Sequence, residues 1–303
     1  MQLFPYYAMD IRQQLRQGQV IDWSVEMIRA PEVWKLTKGE GIKIAVLDTG
    51  IDYRHPDLSP NVIRGINFTS LDRQDYMDRY GHGTYVAGLI AGCDNGIGII
   101  GVAPKAQLIA VKVIGDNGAG SPQTIVQGIE YCIEEKVDII SMSLGTRFDP
   151  GPQLHHVIRE ARKAGIIIVA ASGNESSYCG WPARYEEVIA VGAIDSKGQK
   201  ASFSNMGYEL DVSAPGVGIL STYPNGAYAV LSGTSMATPI VSGVIALIQS
   251  YGRKQGKKIG PNEIMKMLPE FTIDLGQAGH DSQYGYGMIH LSKLVEKFNE
   301  NLI

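Results

Sequence analysis

Five short stretches dense in branched and apolar residues recur along this chain: IKIAVLD (42–48), AQLIAVKVI (106–114), VDIISMSL (137–144), GIIIVAAS (165–172) and EVIAVGAI (187–194). Each is too short for a buried helix and reads as a strand buried on both faces. Between them lie stretches with helical spacing: GHGTYVAGLIAG (81–92), SPQTIVQGIEYCIEEK (121–136) and GPQLHHVIREARKAG (151–165). In the last, Pro152 stands in the first turn and Gly165 just past the end, as helix limits require. Strand-helix alternation implies crossover connections, so the strands run parallel with helices on both faces. After residue 200 the pattern changes to shorter strands broken by turns, SAPGVGILSTYPNGAYAVLSG (213–233), followed by a long apolar helix, MATPIVSGVIALIQSYG (236–252). The expected fold is therefore α/β, a doubly wound, mostly parallel sheet with helices on both faces, in a single domain.

One domain is the economical reading, because 303 residues of which 44% are hydrophobic can bury one large core without any repeat or long linker. Net charge is −4 with no block of like charge, which argues against a nucleic-acid partner, since phosphates demand a basic patch. The apolar runs are far shorter than a bilayer span, so no membrane partner is expected either. The opening MQLFPYYAMDIRQQLRQG contains Asp10 and no long apolar stretch, and does not read as a secretory leader. Cys93, Cys132 and Cys179 are odd in number and form no CxxC pair, so neither a disulfide framework nor a metal clip is implied. That usage suits a reducing compartment.

Ligands of open parallel sheets bind beyond the carboxyl ends of the strands, and Asp48-Thr49-Gly50 stands at such an end. The tripeptide suits two chemistries. Two aspartates sharing a proton can activate water. That reading needs a second such triplet, and the nearest, IDLG at 273–276, lacks the small hydroxyl residue. Alternatively, one aspartate orients a histidine that activates a serine. Among six histidines, His82 stands out in YGHGTYVAG, flanked by glycines where a helix begins. His155 and His156 fall on the outer face of a polar helix, and His280 and His290 lie in the C-terminal region. His55 precedes Pro56 and reads as a surface turn. In SGTSMATP, Ser235 sits between a Gly-Thr turn and a helix N-terminus, where its Oγ can project into a cleft. Alone it would be read as a helix cap. Asp, His and Ser in this order, each in a Gly-rich turn at the end of an element, favour the nucleophile.

VLDTGID, GHGTYVAG, ASGNE and GTSMATP, in that order and spacing, resemble the subtilisin-type serine proteases, the subtilases, from about residue 19 to 290. The resemblance implies catalytic roles for Asp48, His82 and Ser235, and for Asn174 as the side-chain donor to the oxyanion. It implies that NGAG (117–120) and SLG (143–145) hold an extended peptide between them, by strand addition through main-chain hydrogen bonds. Gly118, Gly120, Ser143, Leu144 and Gly145 are then the substrate-binding residues, with Ala170 and Ala171 lining an apolar first pocket and Gly180 at its base. GCDNGIGIIGVAP (92–104) is similar to the family's calcium loop, which implies a structural Ca²⁺ held by side chains of Gln19, Asp57 and Asn95 and carbonyls of Cys93, Ile97 and Ile99. A second, weaker cation (Na⁺ or Ca²⁺) is implied at the carbonyls of Ala183, Tyr185 and Val188.

The first eighteen residues are similar to the short N-terminal extension of the bacterial intracellular subtilisins. Leu3-Phe4-Pro5-Tyr6 stands where that group has a Leu-Ile-Pro-Tyr-like motif. The resemblance implies an inhibitory segment lying in the cleft, with Pro5 near the scissile position, where a fixed φ and a missing N–H hold the bond out of line. The expected organisation is an extension at 1–18, a peptidase domain at 19–290 and a tail at 291–303 that packs on the core or on a second subunit. The implied protein is a calcium-stabilised serine endopeptidase of the bacterial cytoplasm, made as a zymogen, acting on proteins and peptides, in a group where homodimers are common. A peptide-gripping module without catalysis and a trimmed secreted processing protease are the alternatives. Tyr85 and Ile240 stand where many subtilases have histidine; neither position does the chemistry, so altered packing with retained activity is expected.

Overall fold

The branched runs become strands, and the stretches with helical spacing become the helices that cover them. The computed structural model describes residues 1–4, 6–13, 15 and 18–299. In chain order the elements begin with β1 (Tyr7–Arg12), β2 (Val20–Ile21), α1 (Trp23–Met27), α2 (Ala30–Val33), β3 (Lys43–Asp48), β4 (Val62–Asn67) and α3 (His82–Ala91). There follow β5 (Ile99–Ile100), β6 (Gln107–Lys112), α4 (Pro122–Glu134), β7 (Ile139–Met142), α5 (Pro152–Lys163), β8 (Ile167–Ala171) and β9 (Val188–Ile194). The last part holds β10 (Val212–Pro215), β11 (Ile219–Tyr223), β12 (Ala227–Ser232), α6 (Thr234–Lys254), α7 (Pro261–Met267), β13 (Thr272–Ile273), β14 (Met288–Ile289) and α8 (Ser292–Asn299).

Nine strands form one sheet in the order β13-β14-β10-β9-β8-β7-β3-β6-β4. Every neighbouring pair in it is parallel except β13 with β14. Alternate residues of the central strands divide between two cores. Ile44, Val46, Leu108 and Ala110 join the core that also takes Val86 and Ile90 of α3 and Val241 and Ile245 of α6. Ala45, Leu47, Ile109 and Val111 join the other, with Ile125 and Ile129 of α4 and Leu154 and Ile158 of α5. Each of the valine, leucine and isoleucine side chains among these contributes roughly 1.5–3 kcal/mol when fully buried, which fixes the sheet between its helices. The doubly wound, mostly parallel α/β sheet read from the sequence is the one observed.

β3 carries β6 and β4 on one side and β7, β8, β9 and β10 on the other, so the winding reverses direction next to it. A crevice opens at the carboxyl ends of strands where the order reverses, and Asp48 is the last residue of β3. Two smaller sheets lie outside the main one. β1, β12 and β11 form an antiparallel sheet in that order, and β2 pairs with β5 in parallel.

The C-terminal stretch does not stand apart. Leu291 and Leu294 are fully buried in the α6 core, and the Leu291 N–H donates to the Ile28 carbonyl at 2.9 Å. Tyr85 is likewise buried, packed with Leu89, Ile219 and Met236, and its hydroxyl donates to the Ile219 carbonyl. Ile240 is buried in the α6 core.

Candidate active site

Asp48 and His82 meet in the crevice. His82 Nδ1 lies 2.8 Å and 2.9 Å from the two Asp48 carboxylate oxygens, and both side chains are fully buried. A carboxylate can only accept, so Nδ1 carries a proton, and in the neutral imidazole Nε2 then presents its lone pair. His82 Nε2 is buried without a hydrogen-bond partner among the described residues. Gly81, at φ 110, makes the turn that sets His82 at the start of α3. A side chain at Gly83 would collide with the Gly50 carbonyl at 2.1 Å, so the two flanking glycines let this helix start sit directly on the Asp48 turn.

A residue that the sequence reading passed over ties the two turns together. The Asp78 carboxylate accepts from Thr49 Oγ1 (2.9 Å), from the N–H groups of Tyr80 (3.0 Å), Gly81 (2.8 Å) and Thr84 (2.8 Å), and from Thr84 Oγ1 (2.6 Å). Thr49 Oγ1 in turn accepts the Gly83 N–H at 2.9 Å. Burial pushes the Asp78 carboxyl up, and these donors oppose the shift. An acid shortly before a helix start is the only signal the sequence offers for it, and solvated loops carry many such acids.

Ser235 is the second residue of α6 and is fully buried. Pro239 lies four residues on, where its N–H would otherwise bond the Ser235 carbonyl. That carbonyl instead accepts from Ser143 Oγ at 2.9 Å, while Ser235 Oγ donates to the Ser143 carbonyl at 3.1 Å. Ser235 Oγ is therefore turned toward Ser143, and its hydrogen bond to His82 is not formed in this structure. Asn174 Oδ1 accepts both the N–H and the hydroxyl of Thr234, each at 2.8 Å. A backbone N–H can only donate, so the atom facing it must be the amide oxygen, and the NH₂ points away from Thr234. A Cβ at Gly233 would stand 3.0 Å from that nitrogen, which places the amide beside the Ser235 turn.

The predicted peptide cradle is filled by the chain's own N-terminus. Gln2 exchanges both main-chain hydrogen bonds with Gly145 (3.1 and 2.9 Å), Gly120 N–H donates to the Met1 carbonyl at 3.1 Å, and Leu3 N–H reaches the Gly118 carbonyl at 3.4 Å. Phe4 is 2% exposed. A Cβ at Gly145 would stand 2.2 Å from Phe4 Cζ, and one at Gly180 would stand 3.3 Å from it, so both glycines wall the pocket that this ring fills. Leu144, Ala170 and Ala171 are fully buried. The Tyr6 ring lies 5.3 Å from the His82 ring, and burial together with Tyr80 and Tyr223 raises its phenol. Pro5 falls outside the described residues.

Around the Gly-rich loop, the Gln19 side-chain amide lies 2.5 Å from the Cys93 carbonyl, 3.3 Å from the Ile99 carbonyl and 3.4 Å from Asn95 Oδ1. Asp57 joins them, 3.3 Å from the Asn95 amide, and Ile97 N–H donates to Asn95 Oδ1 at 3.1 Å. A convergence of amide, carbonyl and carboxylate oxygens is the donor set of a hard cation. Rotation of the Gln19 amide would add its oxygen to that set, so these residues fit a calcium ion. Among the described residues no group of three or more His, Cys, Asp and Glu side chains gathers as a metal cluster. At the second expected cation position, the Tyr185 carbonyl accepts the Val188 N–H at 3.0 Å, and Ala183 is buried nearby. His55 corrects an expectation: it is 1% exposed, with Nδ1 accepting the Asp57 N–H (3.1 Å) and Nε2 donating to the Ala227 carbonyl (3.0 Å). It braces the loop that carries Asp57 and does not sit on the surface.

Residues 39–287 match the model of the subtilase family. The chain is 44% identical to an "Intracellular serine protease" of Paenibacillus polymyxa, over 97% of this chain and 91% of that protein. It is 43% identical to the "Major intracellular serine protease" of Bacillus subtilis (strain 168), over 99% of this chain and 97% of that protein. Subtilisin E of the same organism is 46% identical over 77% of this chain and 62% of its own length. The chain belongs to the subtilase family, the subtilisin-like serine peptidases.

Proposed function

We propose that the chain is an endopeptidase of the bacterial cytoplasm, made latent by residues 1–18 and cutting proteins and peptides through Ser235. The single observation that carries this reading is the buried Asp48–His82 pair, whose Nε2 lone pair faces a cleft already holding an extended peptide. Rotation of Ser235 Oγ away from the Ser143 carbonyl would bring it toward His82, which takes the proton as Oγ attacks the scissile carbonyl. Asp48 holds the imidazole in the required tautomer and balances its positive charge once protonated. The Asn174 NH₂ and the Ser235 N–H are the donors for the oxyanion; such fixed donors act without reorganisation when charge develops. The intracellular relatives align along nearly the whole chain, which supports the location, and the main-chain pairing of Met1, Gln2 and Leu3 with the cleft supports the latency.

Residues 1–4 bind as a substrate's residues before the cut would, with Phe4 in the first pocket and the bond to Pro5 following it. The pocket therefore prefers large apolar side chains. A serine-directed fluorophosphonate tests the reading. Ser235 is expected to be labelled once the extension has been cleaved, and labelling should vanish in Ser235→Ala. A processed chain that stays unlabelled would leave the peptide-gripping module as the better account.

Bound calcium would tie Gln19, at the start of the domain, to the loop 93–99 and so oppose local opening. A ligand held only by the folded state at a hundred times its Kd stabilises by about 2.7 kcal/mol. Chelation with EDTA is therefore expected to lower Tm by about 5 °C, restored by excess calcium and not by magnesium. A melting curve that EDTA leaves in place would remove the ion from this loop.

A further inference from the structure

We propose that β12 forms an extended docking edge for the part of a substrate that follows the scissile bond, reaching about eight residues past the cut. The inference rests on reading the chain as a peptidase whose extension lies in its own cleft. The extension does not end its contacts at the catalytic residues. Beyond Phe4 in the pocket and Tyr6 over His82, the same extended strand runs on as β1, antiparallel to β12. Its register sets Tyr7 opposite Ser232, Ala8 opposite Leu231, then, after an irregularity, Asp10, Ile11 and Arg12 opposite Val230, Ala229 and Tyr228. Ser232 is three residues before Ser235, so the paired edge begins at the nucleophile's own turn and leads directly away from it.

The way β1 is held says what kind of occupant the edge takes. Tyr7 and Ile11 are each 53% exposed, and Ala8, Asp10 and Arg12 are exposed as well. On β12, by contrast, Ala227, Tyr228, Ala229 and Leu231 are buried. The described side chains of β1, those of Tyr7, Ala8, Asp10, Ile11 and Arg12, are all exposed, so main-chain pairing with the outer edge of β12 is the contact that defines it. Such pairing is indifferent to sequence, because specificity in strand addition comes from side-chain pockets. When the extension leaves, the edge loses its partner, and an unpaired strand edge is a template for another extended chain. The chain already threaded through the cleft is the nearest one, and its downstream residues arrive in the direction that β1 follows. The substrates selected are therefore extended or unfolded polypeptides with long stretches after the cut, of nearly any sequence there.

The experiment compares quenched fluorescent peptides on the full chain after cleavage of its extension. All carry the same residues before the cut, with Phe at the pocket position, and either three or nine residues after it. The nine-residue form is expected to have a kcat/KM higher by about tenfold or more, through KM, since each added main-chain bond contributes modestly. N-methylation at alternate downstream positions should abolish the gain in one phase of the alternation and spare it in the other, because alternate N–H groups of a strand face its partner. Equal kcat/KM for both lengths, or a gain indifferent to N-methylation in both phases, would overturn the docking edge. An advantage that fades as protein concentration rises would place a second copy on β12 and overturn it too. If neither peptide is cut, the peptidase reading itself fails, an outcome distinct from equal cleavage of both.

Discussion

Replacing Ser235 with alanine is expected to reduce turnover by a factor on the order of 10⁶, the loss known for the serine of subtilisin itself, in a chain that still folds. The removed hydroxyl makes one hydrogen bond, to the Ser143 carbonyl at 3.1 Å, and a neutral bond of this kind is worth about 1 kcal/mol net. In a domain of this size that shifts Tm by only about 2 °C. The kinetic loss has no such bound, because no neighbour can take over. Thr234 Oγ1 is held by Asn174 and by the Gly173 N–H. Burial pushes the thiols up, Cys93 to about 11 and Cys179 to about 12, and raises Cys132 as well, so none offers a thiolate near neutral pH. Initial rates on a peptide with Phe before the cut, beside a melting curve, separate the two effects. A Ser235→Ala chain within tenfold of its parent would mean that the nucleophile lies elsewhere.

The main sheet was legible because its strands are buried on both faces, and burial of that kind forces a run of branched residues into the sequence. Where the physics is different, so was the outcome. β1 pairs through its backbone with its described side chains exposed, and YAMDIR carries no period that marks a strand. β4 is an edge strand whose VIRGIN alternates poorly, and Gly65 is there because the Tyr76 ring packs where a Cβ would stand, at 2.4 Å. Neither signal is local.

The candidate site divides in the same way. Asp48, His82 and Ser235 could be named because each stands in a Gly-rich turn at the end of an element, and the structure brings Asp48 and His82 into contact. What the sequence could not supply is the bracing around them. Asp78 organises both turns through five hydrogen bonds, yet in DRYGHG it is one more loop acid. His55 was misread because a histidine before proline is an ordinary surface turn unless a distant strand covers it. Here Ala227 of β12 does so. Pro239 is legible only afterwards. Its missing N–H frees the Ser235 carbonyl for Ser143, a pairing 92 residues apart in the chain.

Loss of the Phe4 side chain is expected to wake the uncleaved enzyme. Phe4 is the most deeply buried of the described residues of the segment in the cleft, and burying a phenylalanine contributes roughly 1.5–3 kcal/mol. Phe4→Ala should therefore raise the fraction of open clefts, and the activity before processing, by roughly 10- to 100-fold. Gly145→Ala attacks the same contact from the other side, with a different signature. The new Cβ would stand 2.2 Å from Phe4 Cζ and 2.8 Å from the Trp181 carbonyl, and the backbone that would have to yield is pinned by Gln2. It would loosen the extension and also narrow the pocket for every substrate. Its activity on peptides with Ala before the cut should rise while that on peptides with Phe falls; Phe4→Ala should raise both. Rates are read at once after purification, with intact mass confirming an uncut N-terminus, and Ser235→Ala in each background as the blank. If Phe4→Ala chains are as silent as the parent until cleaved, the ring in the pocket is not what keeps the cleft closed, and latency must come from Tyr6 over His82 or from β1.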